Sequence, residues 1–177
     1  KKTTGWIFII IGCLCTHTTN THFSSNNFYV QMAAAALPVL ETSGGSIIVV
    51  SSVAGKLASP FVALYTATKF AMNDFFGALQ NELALKKSNV SVSILILGLI
   101  DTESAMNKIR GYAMMTTYPA SETALSIIKA GVTRQREAYY PWFHYFTCLI
   151  NNIFPFMKGI LLSGLSAEYT VCTKTSA

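Results

Sequence analysis

Few charges, no clustered cysteines and no glycine-rich phosphate loop: each shortage in this chain closes off a class of function. Asp, Glu, Lys and Arg make up 12% of the 177 residues. The thirteen Lys and Arg residues are spread from Lys1-Lys2 through Lys86-Lys87, Arg110 and Lys129 to Arg134 and Arg136, without a basic stripe interleaved with stacking aromatics. A net charge of +5 therefore describes a solvated surface, and no nucleic-acid partner is expected. Cys13, Cys15, Cys148 and Cys172 lack Cys-x-x-Cys spacing, so neither a metal site nor a disulfide framework is signalled. Free thiols are the default, and His17 and His22 read as solvated. The eleven glycines are scattered, and no Gly-x-Gly-x-x-Gly or Gly-x-x-x-Gly-x-Gly follows a strand ahead of Tyr29. A cradle for dinucleotide phosphates is thus missing from the sequence.

What is present is apolar. At 51% hydrophobic residues the chain can bury one core, and its length argues for one domain. Residues 1–27 read as an anchor-like segment followed by a polar linker. After Lys1-Lys2, the stretch from Trp6 to Cys15 resembles the apolar core of a signal anchor, but its ten residues are half of the roughly twenty a spanning helix needs. A buried β-strand is the equal alternative, since Ile and Phe dominate. Thr16 to Asn27 then reads as the linker.

Alanine content predicts a helix from Phe28 to Leu40, and Ser43-Gly44-Gly45 closes the connection to Ile47–Val50, a strand apolar on both faces, as in parallel sheets. A second helix is predicted after Pro60, with Phe70, Phe75, Phe76, Leu79 and Leu83 on its apolar face and Lys86-Lys87 at its C-terminus. Val90 to Leu97 is the next buried strand. Gly98-Leu99-Ile100-Asp101-Thr102 follows as a strand-to-helix loop in which Gly98 takes a permissive backbone angle. The chain then turns aromatic. Ala138 to Met157 holds no formal charge, but Pro141, Pro155 and Asn151-Asn152 oppose a straight membrane span. Residues 141–177 read as a membrane-interface segment or dimer contact, with a core helix as the alternative.

Chemistry concentrates at three positions. Tyr65 and Lys69, four residues apart, share one face of the second helix, and Tyr65 lies thirteen residues after Ser52 at the end of the first buried strand. A cation beside a phenol favours phenolate, so Lys69 is expected to lower the ordinary tyrosine pKa of about 10 and suit Tyr65 to proton exchange. Ser52 can hold a carbonyl or alcohol oxygen beside it, where charge changes as hydride moves. Asn89-Val90-Ser91 is the one N-glycosylation acceptor pattern in the chain.

The segments Gly45–Lys56, Tyr65–Ala71 and Leu97–Glu103 resemble the short-chain dehydrogenase/reductase family, and within it the 11β-hydroxysteroid dehydrogenases; the similarity runs from about Tyr29 to about Tyr140. This resemblance implies an α/β fold, a partial Rossmann-like doubly wound parallel sheet, with residues 28–140 as the C-terminal, catalytic half. It implies Ser52, Tyr65 and Lys69 as the catalytic residues. Tyr65 and Lys69, with Ile100 and Thr102 at the nicotinamide carboxamide, would bind NADP(H); Ser52, Leu97, Gly98 and Leu99 would meet the substrate. The substrate implied is a steroid whose keto and hydroxyl groups are interconverted. A retinoid or other lipophilic alcohol is the alternative, and a non-catalytic, membrane-associated or dimerising fragment is another.

The resemblance further implies a homodimer on the lumenal side of the endoplasmic reticulum membrane, where Asn89 would carry glycan. Two positions depart from the family pattern. Ser25 aligns with the asparagine that completes the catalytic tetrad, and Ser59 stands where a steroid-pocket tyrosine is expected. Together with Lys1 in place of methionine, the missing phosphate cradle leads to the expectation of a truncated, weakly cofactor-binding chain with an exposed sheet edge.

Overall fold

The computed structural model describes residues 8–12, 19–58, 62–103 and 116–154, with side chains from residue 27 onward. The order is β1 (Phe8–Gly12), α1 (Thr19–Ser43), β2 (Ser46–Ser52), a 3-10 turn (Val53–Gly55), α2 (Ala63–Leu85), β3 (Ser91–Leu97), β4 (Ile100–Asp101), β5 (Tyr118–Pro119), α3 (Ala120–Val132), β6 (Glu137–Tyr140) and α4 (His144–Ile153). Four strands form a parallel sheet in the order β1-β2-β3-β6, and β4 pairs with β5 separately.

Side-chain alternation sorts the sheet into two faces. Ile47, Val49, Val92, Ile94 and Ile96 pack against Tyr29, Ala33 and Leu40 of α1 and Met72, Phe76, Leu79 and Leu83 of α2. Ile48, Leu95 and Leu97 turn the other way, onto Ala130 and Ile127 of α3. Helices on both faces explain why β2 and β3 are buried throughout their cores and read as continuous apolar runs. The α/β, doubly wound character expected from the sequence is present.

Helix ends follow local chemistry. At the end of α1, Gly44 has a φ of 67° and Gly45 N donates to Leu40 O at 3.1 Å, closing a Schellman motif. The end of α2 repeats it with a lysine: Lys87 has a φ of 52°, and Ser88 N reaches Leu83 O at 2.9 Å.

Three expectations change. The polar linker is not one: residues 19–27 belong to α1, because extending a helix adds a hydrogen bond for each residue fixed and outweighs the weak propensities of Thr, Asn and Ser. Phe8–Gly12 is a strand, paired in parallel with β2 from Phe8↔Ser46 to Gly12↔Val50, so β2 is not the exposed edge of the sheet. Gly98 does not take a left-handed angle, since Gly44 is the one glycine with positive φ among the described residues. Its need is for space. A Cβ there would lie 2.5 Å from His144 Nε2 and 3.3 Å from Pro141 Cδ.

Candidate active site

Strand register brings the site together. In the parallel ladder Ser52 pairs with Leu97 and Leu97 with Tyr140, so three strands end side by side. Ligands of open α/β sheets bind beyond such carboxyl ends. Ser52 is the last residue of β2 and caps the 3-10 turn, its Oγ accepting the Ala54 N–H at 3.2 Å. With one lone pair so used, the hydroxyl proton remains available to donate to an oxygen outside the turn.

Lys69 enters from α2, and although a lysine it is 2% exposed. A buried ammonium needs partners. Its Nζ donates to Val50 O at 3.2 Å and lies 5.6 Å from the centroid of the half-buried Tyr65 ring. The expected one-turn pairing of phenol and cation is thereby realised at the end of β2.

Sequence reasoning missed Asn73, one further turn along the same face. It is buried, and its Nδ2 donates to Gly55 O at 2.9 Å. The turn is pressed against α2: a Cβ on Gly55 would meet Asn73 Nδ2 at 2.5 Å and Lys69 O at 2.9 Å. Spacing of four from Lys69 was the available signal, but an asparagine at such a position usually means nothing more than a solvated face.

The β3 side of the site is looser. Leu97 is buried, Gly98, Leu99 and Ile100 are half-buried, and Thr102 is exposed. Gly98 N donates to Tyr140 O at 2.8 Å and Tyr118 N to Leu99 O at 3.0 Å, which fixes the loop against β5 and β6. Tyr140 is committed elsewhere: its hydroxyl donates to Glu122 Oε2 at 2.7 Å, and that hydrogen bond, helped by burial, raises its pKa. Burial lowers the pKa of His144, whose Nε2 is enclosed against Gly98 without a hydrogen-bond partner.

Other predicted positions fall away from this centre. Asn89 is exposed in the connection from α2 to β3. Ser25 lies in α1 with its side chain outside the described set, while Ser59, Cys13, Cys15, Cys172 and His17 are outside the described residues. Cys148 is a buried free thiol, its pKa pushed up to about 11 by burial. Among the described residues no group of three or more His, Cys, Asp or Glu could hold a metal ion.

A nicotinamide cofactor can be tested against these residues. A buried lysine held beside a tyrosine, with a serine at the end of the strand that the lysine grips, fits the nicotinamide end; nothing in the sequence supplies the glycine-rich phosphate loop.

Comparison with known proteins agrees with this geometry. The short chain dehydrogenase family profile matches residues 15–113, more than half of the chain. A zebrafish (Danio rerio) protein named hydroxysteroid 11-beta-dehydrogenase 1-like protein is 59% identical over 130 residues, covering 73% of this chain and 45% of its own length. A chicken (Gallus gallus) protein of the same name is 52% identical over 114 residues, 64% of this chain and 40% of its own. The chain thus spans less than half the length of these relatives. A Burkholderia cenocepacia short chain dehydrogenase solved in complex with NADP superposes with a TM-score of 0.70 at 22% identity, covering 93% of this chain and 70% of its own. One from Burkholderia phymatum in complex with NAD gives 0.67 at 15% identity, over 82% and 64%. These two speak to the fold.

Proposed function

The chain belongs to the short-chain dehydrogenase family, and from that premise we propose that it carries the catalytic part of an NADP-dependent oxidoreductase interconverting a keto and a hydroxyl group on a steroid. The carrying observation is the buried Lys69, fixed by Val50 O and set against Tyr65 at the end of the strand bearing Ser52. The names of the zebrafish and chicken relatives favour a hydroxysteroid over a retinoid or another lipophilic alcohol; a role in glucocorticoid metabolism is part of the same proposal.

In this reading a bound nicotinamide supplies the hydride, and the residues of the chain manage the proton. Tyr65 exchanges its phenolic proton with the substrate oxygen. Ser52 donates a hydrogen bond to that oxygen, opposing charge build-up as the carbonyl is reduced. Lys69 favours the phenolate left behind and, with Tyr65, Ile100 and Thr102, forms the cofactor's seat. Leu97, Gly98 and Leu99 line the substrate side. A dry, buried cation acts more strongly on the phenol than a solvated one would.

The test supplies the phosphate-binding βαβ segment of a relative in a chimera and measures reduction of 11-oxo steroids and retinoids with NADPH and NADH. Tyr65→Phe should lower steroid turnover by about 10²–10⁴-fold, the usual contribution of general acid–base catalysis. Near-normal turnover in Tyr65→Phe would sink the assignment.

The proposal extends to a lumenal protein of the endoplasmic reticulum membrane, glycosylated at the exposed Asn89 and resting on the bilayer through Trp142 and the apolar side of α4, where Phe146 and Ile153 are exposed. Among the described residues no helix is long and apolar enough to cross a membrane. A homodimer is the proposed assembly. Expression in cells with a secretory pathway should give a glycosidase-sensitive mass shift that Asn89→Gln abolishes. An unshifted chain in the cytosolic fraction would refute the lumenal placement.

A further inference from the structure

We propose that Asn73 is a positioning residue for the Ser52, Tyr65 and Lys69 constellation: it fastens the turn after Ser52 onto the helix bearing the tyrosine and lysine, and so keeps Lys69 dry. The inference rests on the reading of Tyr65 and Lys69 given above. Three observations carry it. Asn73 Nδ2 donates to Gly55 O at 2.9 Å, eighteen residues away in sequence, and thereby ties the 3-10 turn to α2. The contact admits no slack, since a methyl at Gly55 would meet that amide nitrogen at 2.5 Å and the Lys69 carbonyl oxygen at 2.9 Å. Asn73 Oδ1, moreover, is buried without a hydrogen-bond partner.

The last point separates positioning from packing. An unpaired buried amide oxygen costs folding free energy, whereas the Nδ2 donor satisfies the buried Gly55 carbonyl. What Asn73 contributes is its donor. What that donor holds is the 3-10 turn against α2 beside Lys69, because Gly55 lies directly on the Lys69 backbone and Lys69 is 2% exposed. Releasing the turn admits water beside the lysine, raises the local dielectric and weakens the field that favours the Tyr65 phenolate. It also loosens Ser52, the cap of the same turn.

The experiment uses the 177-residue chain and needs no turnover. Tyrosinate absorbance is followed against pH, and subtracting the trace of Tyr65→Phe isolates Tyr65; Tyr139 and Tyr140 titrate higher, the first through burial and its bond to Glu137, the second through its bond to Glu122. Lys69→Met sets the scale of the lysine's effect. In Asn73→Leu the Tyr65 midpoint should rise by roughly one pH unit, part of the 1–3 units a neighbouring charge supplies, while the urea midpoint of unfolding moves little, because the unpaired Asn73 Oδ1 is removed as Gly55 O loses its donor. Gly55→Ala keeps the amide, pushes the turn off from the other side and should raise the Tyr65 midpoint in the same direction.

An unmoved Tyr65 midpoint in either folded variant overturns the proposal, as does a lower urea midpoint without a Tyr65 shift, the mark of a packing role. If Lys69→Met itself leaves Tyr65 unmoved, the tyrosine and lysine pairing fails first and takes the positioning role with it, a result distinct from the other two.

Discussion

Two helices of similar apolar content have opposite fates. α2 buries Thr66, Thr68, Lys69, Met72, Asn73, Phe76, Leu79 and Leu83, sealed by α1 and the sheet, so that even a lysine is enclosed. α4 buries Cys148 and Asn151, while Tyr145, Phe146, Leu149, Ile150 and Ile153 on it, and Trp142 before it, remain exposed, Trp142 by 71%. Both sequences show apolar residues at helical spacing. The comparison teaches that spacing creates a face and only a partner makes it a core. It also explains where chemistry can reside: a charge gains leverage on a neighbouring phenol where water is excluded, as in α2, and none where the surface is wet.

The contrast can be broken or sharpened by substitution. Phe76, fully buried between α1, α2 and the sheet, should cost about 3–5 kcal/mol of folding stability in Phe76→Ala, whereas Phe146→Ala should stay within about 0.5 kcal/mol, both read from urea unfolding midpoints. Equal losses would mean that α4 is packed as tightly as α2.

A smaller effect is expected from His144 of α4, which is enclosed against Gly98 beyond the end of β3. Burial lowers its pKa in the folded chain, so the unfolded chain takes up the proton first as pH falls below about 6.5. Stability contributed at neutral pH should therefore decline from pH 7 toward pH 5 and level off below the folded pKa. His144→Leu should make that decline shallower. An identical slope in the variant would show that the ring is solvated.

How far the sequence could be read follows the same division. Ser52, Tyr65 and Lys69 were legible because each sits in a strongly patterned element, and β2, α2 and β3 appear within a few residues of their expected ranges. The start of α1 was not, since Thr19 to Asn27 carries no apolar period and its helicity is inherited from the alanine-rich turns beyond. Phe8–Gly12 was ambiguous as a short apolar run, for which periodicity cannot separate strand from anchor. Gly98 is legible only as a residue of permissive backbone angle, whereas its neighbour across the fold, His144, is what leaves no room for a side chain there.

The sequence by itself determined which residues can act together, because a spacing of four on a helix and an alternation of two on a strand are local geometry, set within a few peptide bonds. It determined the apolar cores of β2 and β3 for the same reason. Only the tertiary structure decided that Ser52, Leu97 and Tyr140 end level with one another, that Asn73 rather than a neighbour grips Gly55, and that α2 is covered while the apolar side of α4 is bare. Those facts join residues from 18 to 45 positions apart. Register and packing between distant segments are settled by which surfaces exclude water together, and no local pattern records that choice.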